Sequence, residues 1–154
     1  MAPQKEQLSQ DQLTLIYDAP VLVAILIAGA DDIIDNLEKN QAVESAAFSY
    51  SSFSFDDELV KVYKKTNKDF PAKFKEYVSK LPKDAKSRNP VIAEKLGKLN
   101  DILPKFDHDF SQHYYQSLKF LARDVAKASG GFFDIGNISG KERKWLDLEM
   151  IKEP

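Results

Sequence analysis

The tightest constraint on this chain is a run of eight apolar residues, Val21-Leu22-Val23-Ala24-Ile25-Leu26-Ile27-Ala28. A helix built from them is apolar all the way round, so it must be surrounded by other elements. It predicts the central, buried helix of the fold. From Val21 to Ala30 the run is about ten residues, shorter than the ~20 that cross a bilayer. Extending it back to Leu13 takes in Asp18 and Pro20. Ala28-Gly29-Ala30 has the small-residue character of a signal-peptidase site. The preceding segment carries Glu6, Asp11 and Asp18 against Lys5 alone, the wrong sign for a secretion signal. The expectation is a core helix of a cytoplasmic protein with no membrane partner.

A chain of 154 residues reads as one domain and buries ~68–70% of its extended surface. Residues 1–8 read as a frayed N-terminus and 9–154 as the helical domain. The absence of cysteine excludes disulfides, thiolate zinc sites and cysteine nucleophiles together. The net charge of −2 conceals a strong segregation. Residues 1–60 hold 2 Lys/Arg against 11 Asp/Glu, residues 61–105 hold 13 against 5, and residues 106–154 hold 7 against 8.

Capping chemistry and periodicity place the helices. Ser9 and Gln12 form a capping box for a helix over about 10–18, and Asp18-Ala19-Pro20 restarts it with Asp18 as cap. Asp35 and Glu38 form the next box, opening a helix through Ala42, Val43, Ala46, Ala47 and Tyr50. Ser51-Ser52-Phe53-Ser54-Phe55 alternates like a short strand, while Asp56-Asp57-Glu58 reads as a helix start that turns Leu59, Val60, Val62 and Tyr63 inward. Lys68-Asp69-Phe70-Pro71 is expected to break that helix, with Phe74, Tyr77, Val78 and Leu81 marking another. Asn89 caps a helix from Pro90 through Leu96, Leu99, Ile102 and Leu103. Spacings of three and four from Phe106 through Phe110, Tyr114, Leu118, Leu121 and Val125 to Ala128 predict a long helix over about 106–128. Gly130-Gly131 ends it. Ser139 and Glu142 cap a last helix carrying Trp145, Leu146 and Leu148. The fold class is all-α, a helical bundle of about seven or eight helices. Its expected core is Val21, Leu22, Ala24, Ile25, Leu26, Phe110, Leu118, Leu121, Val125 and Trp145.

One arrangement occurs twice. Ala30 to Glu38 and Ala128 to Glu142 both follow an apolar helical segment, pass through a turn, and start a helix with an Asp or Ser cap and a Glu three residues on. Two pseudo-repeated helix-turn-helix halves follow, the second with six extra residues in its turn. The first copy, Ala30-Asp31-Asp32-Ile33-Ile34-Asp35-Asn36-Leu37-Glu38, resembles the A-D-G-x-I-D-x-x-E signature of the TerB-like family, the tellurite-resistance TerB domain. Asp31, Asp35 and Glu38 match the motif acids, and Asp32 replaces the usual Gly. In the second copy Ser129 and Ser139 stand where Asp is expected, and Glu142 matches. The resemblance covers roughly residues 10–150. It implies a compact two-half bundle, a divalent-metal role for the turn acids, and a link to metal or stress resistance.

Clustered carboxylates suit a hard cation such as Ca²⁺ or Mg²⁺. Asp31, Asp32, Asp35 and Glu38 are therefore candidate metal ligands, with Glu142 a weaker one in the second half. Plain capping is the competing account, because carboxylates at a helix N-terminus are favourable without any metal. The remaining chemistry is negative. His108 and His113 are five apart, and His113 lies four from Asp109, so the two can pair or co-ligate. No H-E-x-x-H, E-x-x-H, G-x-S-x-G or phosphate loop is present. No catalytic or cofactor-binding residue is assigned, and the chain is expected to be a non-enzymatic module for an ion or a protein partner. The alternative uses the basic stretch of residues 61–88 (Lys61, Lys64, Lys65, Lys68, Lys73, Lys75, Lys80, Lys83, Lys86 and Arg88) to hold nucleic acid or an acidic protein. Tyr63, Phe70, Phe74 and Tyr77 interleave there at core-facing spacings, and a pI near 5.7 speaks against a dedicated nucleic-acid binder.

Overall fold

The computed structural model describes residues 8–28, 56–128 and 145–154. Asp31, Asp32, Asp35, Glu38 and Glu142 lie outside the described residues. So do the helix through Tyr50, the Ser51–Phe55 segment, the Gly130-Gly131 turn and both copies of the repeat. The described residues are all-α and contain no strand. Helix α1 spans Gln10–Ala28, α2 Asp57–Lys80, α3 Ala85–Gly97, α4 Leu99–Ile102 and α5 His108–Ala128. A 3₁₀ turn over Leu103–Lys105 separates α4 from α5.

Helix α1 is the centre of the described fold, with its most extensive contacts to α2 and α5. From Val21 to Ile27 no residue is more than 1% exposed. A neighbour therefore covers every side of the helix, as its unbroken apolar sequence demands. Its start is the expected capping box: Gln12 N–H donates to Ser9 Oγ at 3.1 Å, and Ser9 N–H donates back to Gln12 Oε1 at 3.1 Å.

The expected restart at Asp18-Ala19-Pro20 does not occur, and α1 runs unbroken through Pro20. Proline has no N–H, and its ring displaces the carbonyl four residues back, which here belongs to Ile16. Other helices supply donors to this turn, one to the carbonyl the proline frees and one to the carbonyl next to it. Tyr114 Oη on α5 donates to the Ile16 carbonyl at 2.8 Å, and Thr66 Oγ1 on α2 donates to the Tyr17 carbonyl at 2.8 Å. The continuous helix is also longer than the apolar run alone. Gln10–Ile27 is long and apolar enough to cross a membrane by length and composition, although most of it is buried inside the protein.

The break at Pro71 is overturned in the same way, since α2 continues from Asp57 to Lys80. Phe70 and Phe74 flank the proline on the buried side at 0% and 3% exposure, with ring centroids 5.9 Å apart. Pro71 itself is exposed, and the carbonyl it frees belongs to Asn67, which is half-buried. Helix α3 begins five residues before the expected Pro90 start. Its N-cap is Asp84, which accepts from Ser87 N–H at 2.9 Å, while Asn89 is buried inside the helix. That helix stops at Gly97 rather than running on through Leu103. The long last helix starts at His108, because Phe106 is extended and closes the 3₁₀ turn.

The core follows the predicted periodicity along α5, where Phe110, Leu118, Leu121 and Val125 are at most 2% exposed. Trp145 is the exception and is only half-buried. The expected last helix does not extend through Leu148. The backbone there is left-handed, with φ of 51°, a region that β-carbon contacts disfavour. The turn brings Leu148 and Ile151 into the core at 0% and 3% exposure. Asn100 fastens this segment. Its Nδ2 donates to the Met150 carbonyl at 2.9 Å, and its Oδ1 accepts from Lys152 N–H at 2.8 Å.

Candidate functional site

Several side chains able to do chemistry are engaged in holding helices together. Asp18, assigned above to a cap, is 4% exposed within α1. A carboxylate in such a place needs partners. Tyr77 on α2 donates its hydroxyl to Asp18 Oδ2 at 2.7 Å, and Lys73, one turn earlier, brings Nζ to 3.5 Å. Burial, followed by the bond to Asp18, pushes the Tyr77 phenol well above its ordinary value. Lys73 and Tyr77 are spaced i, i+4, so one face of α2 delivers both groups. The signal available in sequence was a lone carboxylate three residues ahead of an all-apolar run, which must be buried with that run.

Tyr77 also borders a groove of about 530 Å³ between α1, α2, α3 and α4. Leu15, Leu22 and Ile102 line it together with Asp11 and Asp101 and with Lys95 and Lys98. The groove therefore offers apolar surface with charges of both signs around it.

A second cluster joins α2 to α5. Asp56 is the N-cap of α2, accepting from Leu59 N–H at 3.0 Å, and its other oxygen lies 2.5 Å from His113 Nδ1. Burial pushes the Asp56 carboxyl up. The His113 bond, the Leu59 bond and the charge on His113 outweigh that and hold it below its ordinary value. A carboxylate in contact with His113 is thus that of Asp56, from the start of another helix. His108 is exposed.

The basic residues of 61–88 separate into distinct groups. Arg88 is 1% exposed and donates to the Lys83 carbonyl at 2.7 Å. Lys73 serves Asp18, and Lys80 pairs with Glu76 at 2.9 Å. Lys65 lies over the Tyr17 ring, 4.7 Å from its centroid. Lys61, Lys64, Lys68, Lys75, Lys83 and Lys86 are exposed. Tyr63, Phe70 and Phe74 are all buried in the core, and Tyr77 is half-buried against Asp18.

Among the described residues no group of three or more His, Cys, Asp or Glu side chains is placed to hold a metal ion. No family model, curated protein or solved structure matches the chain.

Proposed function

We propose that this chain is a non-enzymatic, cytoplasmic binding module of the TerB-like type, a two-half bundle of seven or eight helices. It holds a protein partner and, at Asp31, Asp32, Asp35 and Glu38, a divalent cation such as Ca²⁺, with Glu142 a weaker ligand in the second half. The observation that carries the reading is the use the fold makes of its acids. Asp18, Asp56 and Asp84 serve bonds within and between helices. The acids that resemble the TerB-like signature begin three residues beyond the end of α1, the helix on which the described core is built. A cation held there would be stabilised by clustered hard oxygen ligands and by relief of their mutual repulsion.

Binding to the folded state raises stability by about 2.7 kcal/mol when the ligand stands at 100 times its Kd. The test is a thermal-shift series with Ca²⁺, Mg²⁺ and Mn²⁺, repeated on Asp31→Ala. The expected outcome is an ion-dependent rise in Tm that Asp31→Ala weakens. Calorimetry without heat from Ca²⁺ or Mn²⁺ at roughly millimolar concentration would overturn the cation assignment.

The second reading, contact with nucleic acid or an acidic protein through residues 61–88, draws support from the exposed lysines of α2. The burial of Tyr63, Phe70 and Phe74 removes those rings as stacking platforms for bases, so contact on this face would be electrostatic. Salt-dependent retention on heparin is its expected signature.

A further inference from the structure

Five exposed lysines of α2 share one face. At about 100° per residue, Lys61, Lys64, Lys65, Lys68 and Lys75 fall within about 100° of arc and extend over about 21 Å of helix; the same arc holds the exposed Asp57 at its N-terminal end and the small residues Ala72 and Ser79. Lys64, Lys68 and Lys75 have no ion-pair partner among the described residues. Lys61 has only Glu58, 3.7 Å away and one turn earlier, a surface pair of the kind worth little. The stripe has two different borders. On one side run the carboxylates Glu58, Asp69 and Glu76, and on the other Val60, Pro71 and Val78, which are exposed or half-buried. Each row has one member at the N-terminal end of the stripe and two in its second half.

We infer that this face of α2 docks an acidic amphipathic helix of a partner protein. The stripe would receive its carboxylates, and the Val60–Pro71–Val78 border would receive an apolar edge. The inference rests on the reading of the chain as a partner-binding module and is independent of the cation site.

The borders decide against the other occupants. A duplex presents phosphates on both sides of any helix laid in its groove, and one of those strands would face the row Glu58, Asp69 and Glu76. The basic residues of the stripe are all lysines, without the forked guanidinium that reads base edges. A second copy of α2 is also unsuitable. Paired antiparallel about Lys68, it would set Lys61 against Lys75 and Lys68 against itself, and paired parallel it would oppose every lysine to its own copy. A narrow helix can set its acidic row on the lysines and its apolar row on Val60, Pro71 and Val78, leaving Glu58, Asp69 and Glu76 to solvent.

The test uses the full chain and three fluorescent probes in anisotropy titrations at low salt. The first is a helical peptide of about 22 residues with a Glu stripe and a Leu row beside it. The second has the same composition scrambled around the helix, and the third is a DNA duplex of about 20 base pairs. The striped peptide is expected to bind most tightly. Its affinity should fall at least about tenfold in the combined variant Lys64→Glu, Lys68→Glu and Lys75→Glu, and by a comparable factor as salt rises from ~50 to ~300 mM. The corresponding triple arginine variant retains binding, and circular dichroism of all variants matches the parent because the three side chains are exposed. Unchanged binding in the Glu variant, no binding of the striped peptide at low salt, or a duplex that binds more tightly through the same lysines overturns the inference. Asp31→Ala separates this from the cation assignment. Peptide binding that survives without a cation response refutes only the cation site, and a cation response without peptide binding refutes only the docking face.

Discussion

The hydroxyl of Tyr114 donates to the carbonyl of Ile16 at 2.8 Å, across 98 positions of sequence, and so replaces the hydrogen bond that Pro20 denies to α1. Both residues are buried, Ile16 at 2% and Tyr114 at 0% exposure, so water does not compete for the acceptor. Thr66 Oγ1 adds a bond to the neighbouring Tyr17 carbonyl from a different helix. The turn around Pro20 thus receives one hydroxyl from α2 and one from α5. That accounts for a proline standing in the middle of the most buried element.

Tyr114→Phe should therefore expose the cost of an orphaned carbonyl. An unsatisfied buried acceptor costs about 1–3 kcal/mol, and chemical denaturation of the variant should show a loss in that range. Pro20→Ala restores an N–H four residues beyond Ile16. The double variant should then be less destabilised than the two single losses added together, by at least about 0.5 kcal/mol. Strict additivity would mean that the phenol does not act on the carbonyl freed by the proline.

Asp18 gives a related prediction with a charge in place of a carbonyl. Removing the Tyr77 hydroxyl leaves a nearly buried carboxylate with Lys73 alone at 3.5 Å. Tyr77→Phe should destabilise by about 1.5–3 kcal/mol, the range for a hydrogen bond to a charged group. Adding Asp18→Leu removes the charge that lost its donor, and Lys73, which reaches the surface, can turn to water. Breaking a buried pair by removing one partner costs more than replacing it with apolar side chains. The double variant should therefore be more stable than Tyr77→Phe alone in urea unfolding, and a further loss would contradict this account of the site.

What was legible in the sequence was whatever neighbouring residues decide among themselves. Ser9 and Gln12 cap each other within one turn. The three-and-four spacing of Phe110, Tyr114, Leu118, Leu121 and Val125 records the buried side of α5 directly, and Val21 to Ile27 declared a surrounded helix. The errors came where a distant residue decides. Pro20 looked like a helix start because the donor that compensates for it, Tyr114, lies on α5. Asp18 looked like a cap because Tyr77 is 59 positions away. Asn89 followed by Pro90 looked like a helix start, but Asp84 caps the helix five residues earlier and Asn89 is buried within it. The charge run over 61–88 was visible as composition. Its separation into buried Arg88, engaged Lys73 and Lys80, and an exposed stripe depends on which way each side chain faces once α2 is packed.

The pair of Asp56 and His113 supplies the prediction with a pH dependence. Asp56 has a folded-state pKa below its ordinary value, so its charged form stabilises the fold. A depressed carboxylate contributes fully above the unfolded pKa of ~3.9, and the contribution disappears as pH falls through the lower folded value. Asp56→Asn keeps an acceptor for Leu59 N–H, since Asn caps about as well as Asp, but it removes the charge facing His113. It should cost about 0.5–1 kcal/mol near neutral pH, a modest figure because His113 is partly open to solvent. Asp56→Ala loses the cap as well and should cost about 1 kcal/mol more. Urea unfolding at a series of pH values separates the two effects. The gap between the parent and Asp56→Asn should close as pH drops from ~5 toward ~2, whereas the gap between Asp56→Asn and Asp56→Ala should persist. A parent-to-Asn gap that stays constant across that range would show that Asp56 acts on α2 as a cap alone, with no contribution from its charge.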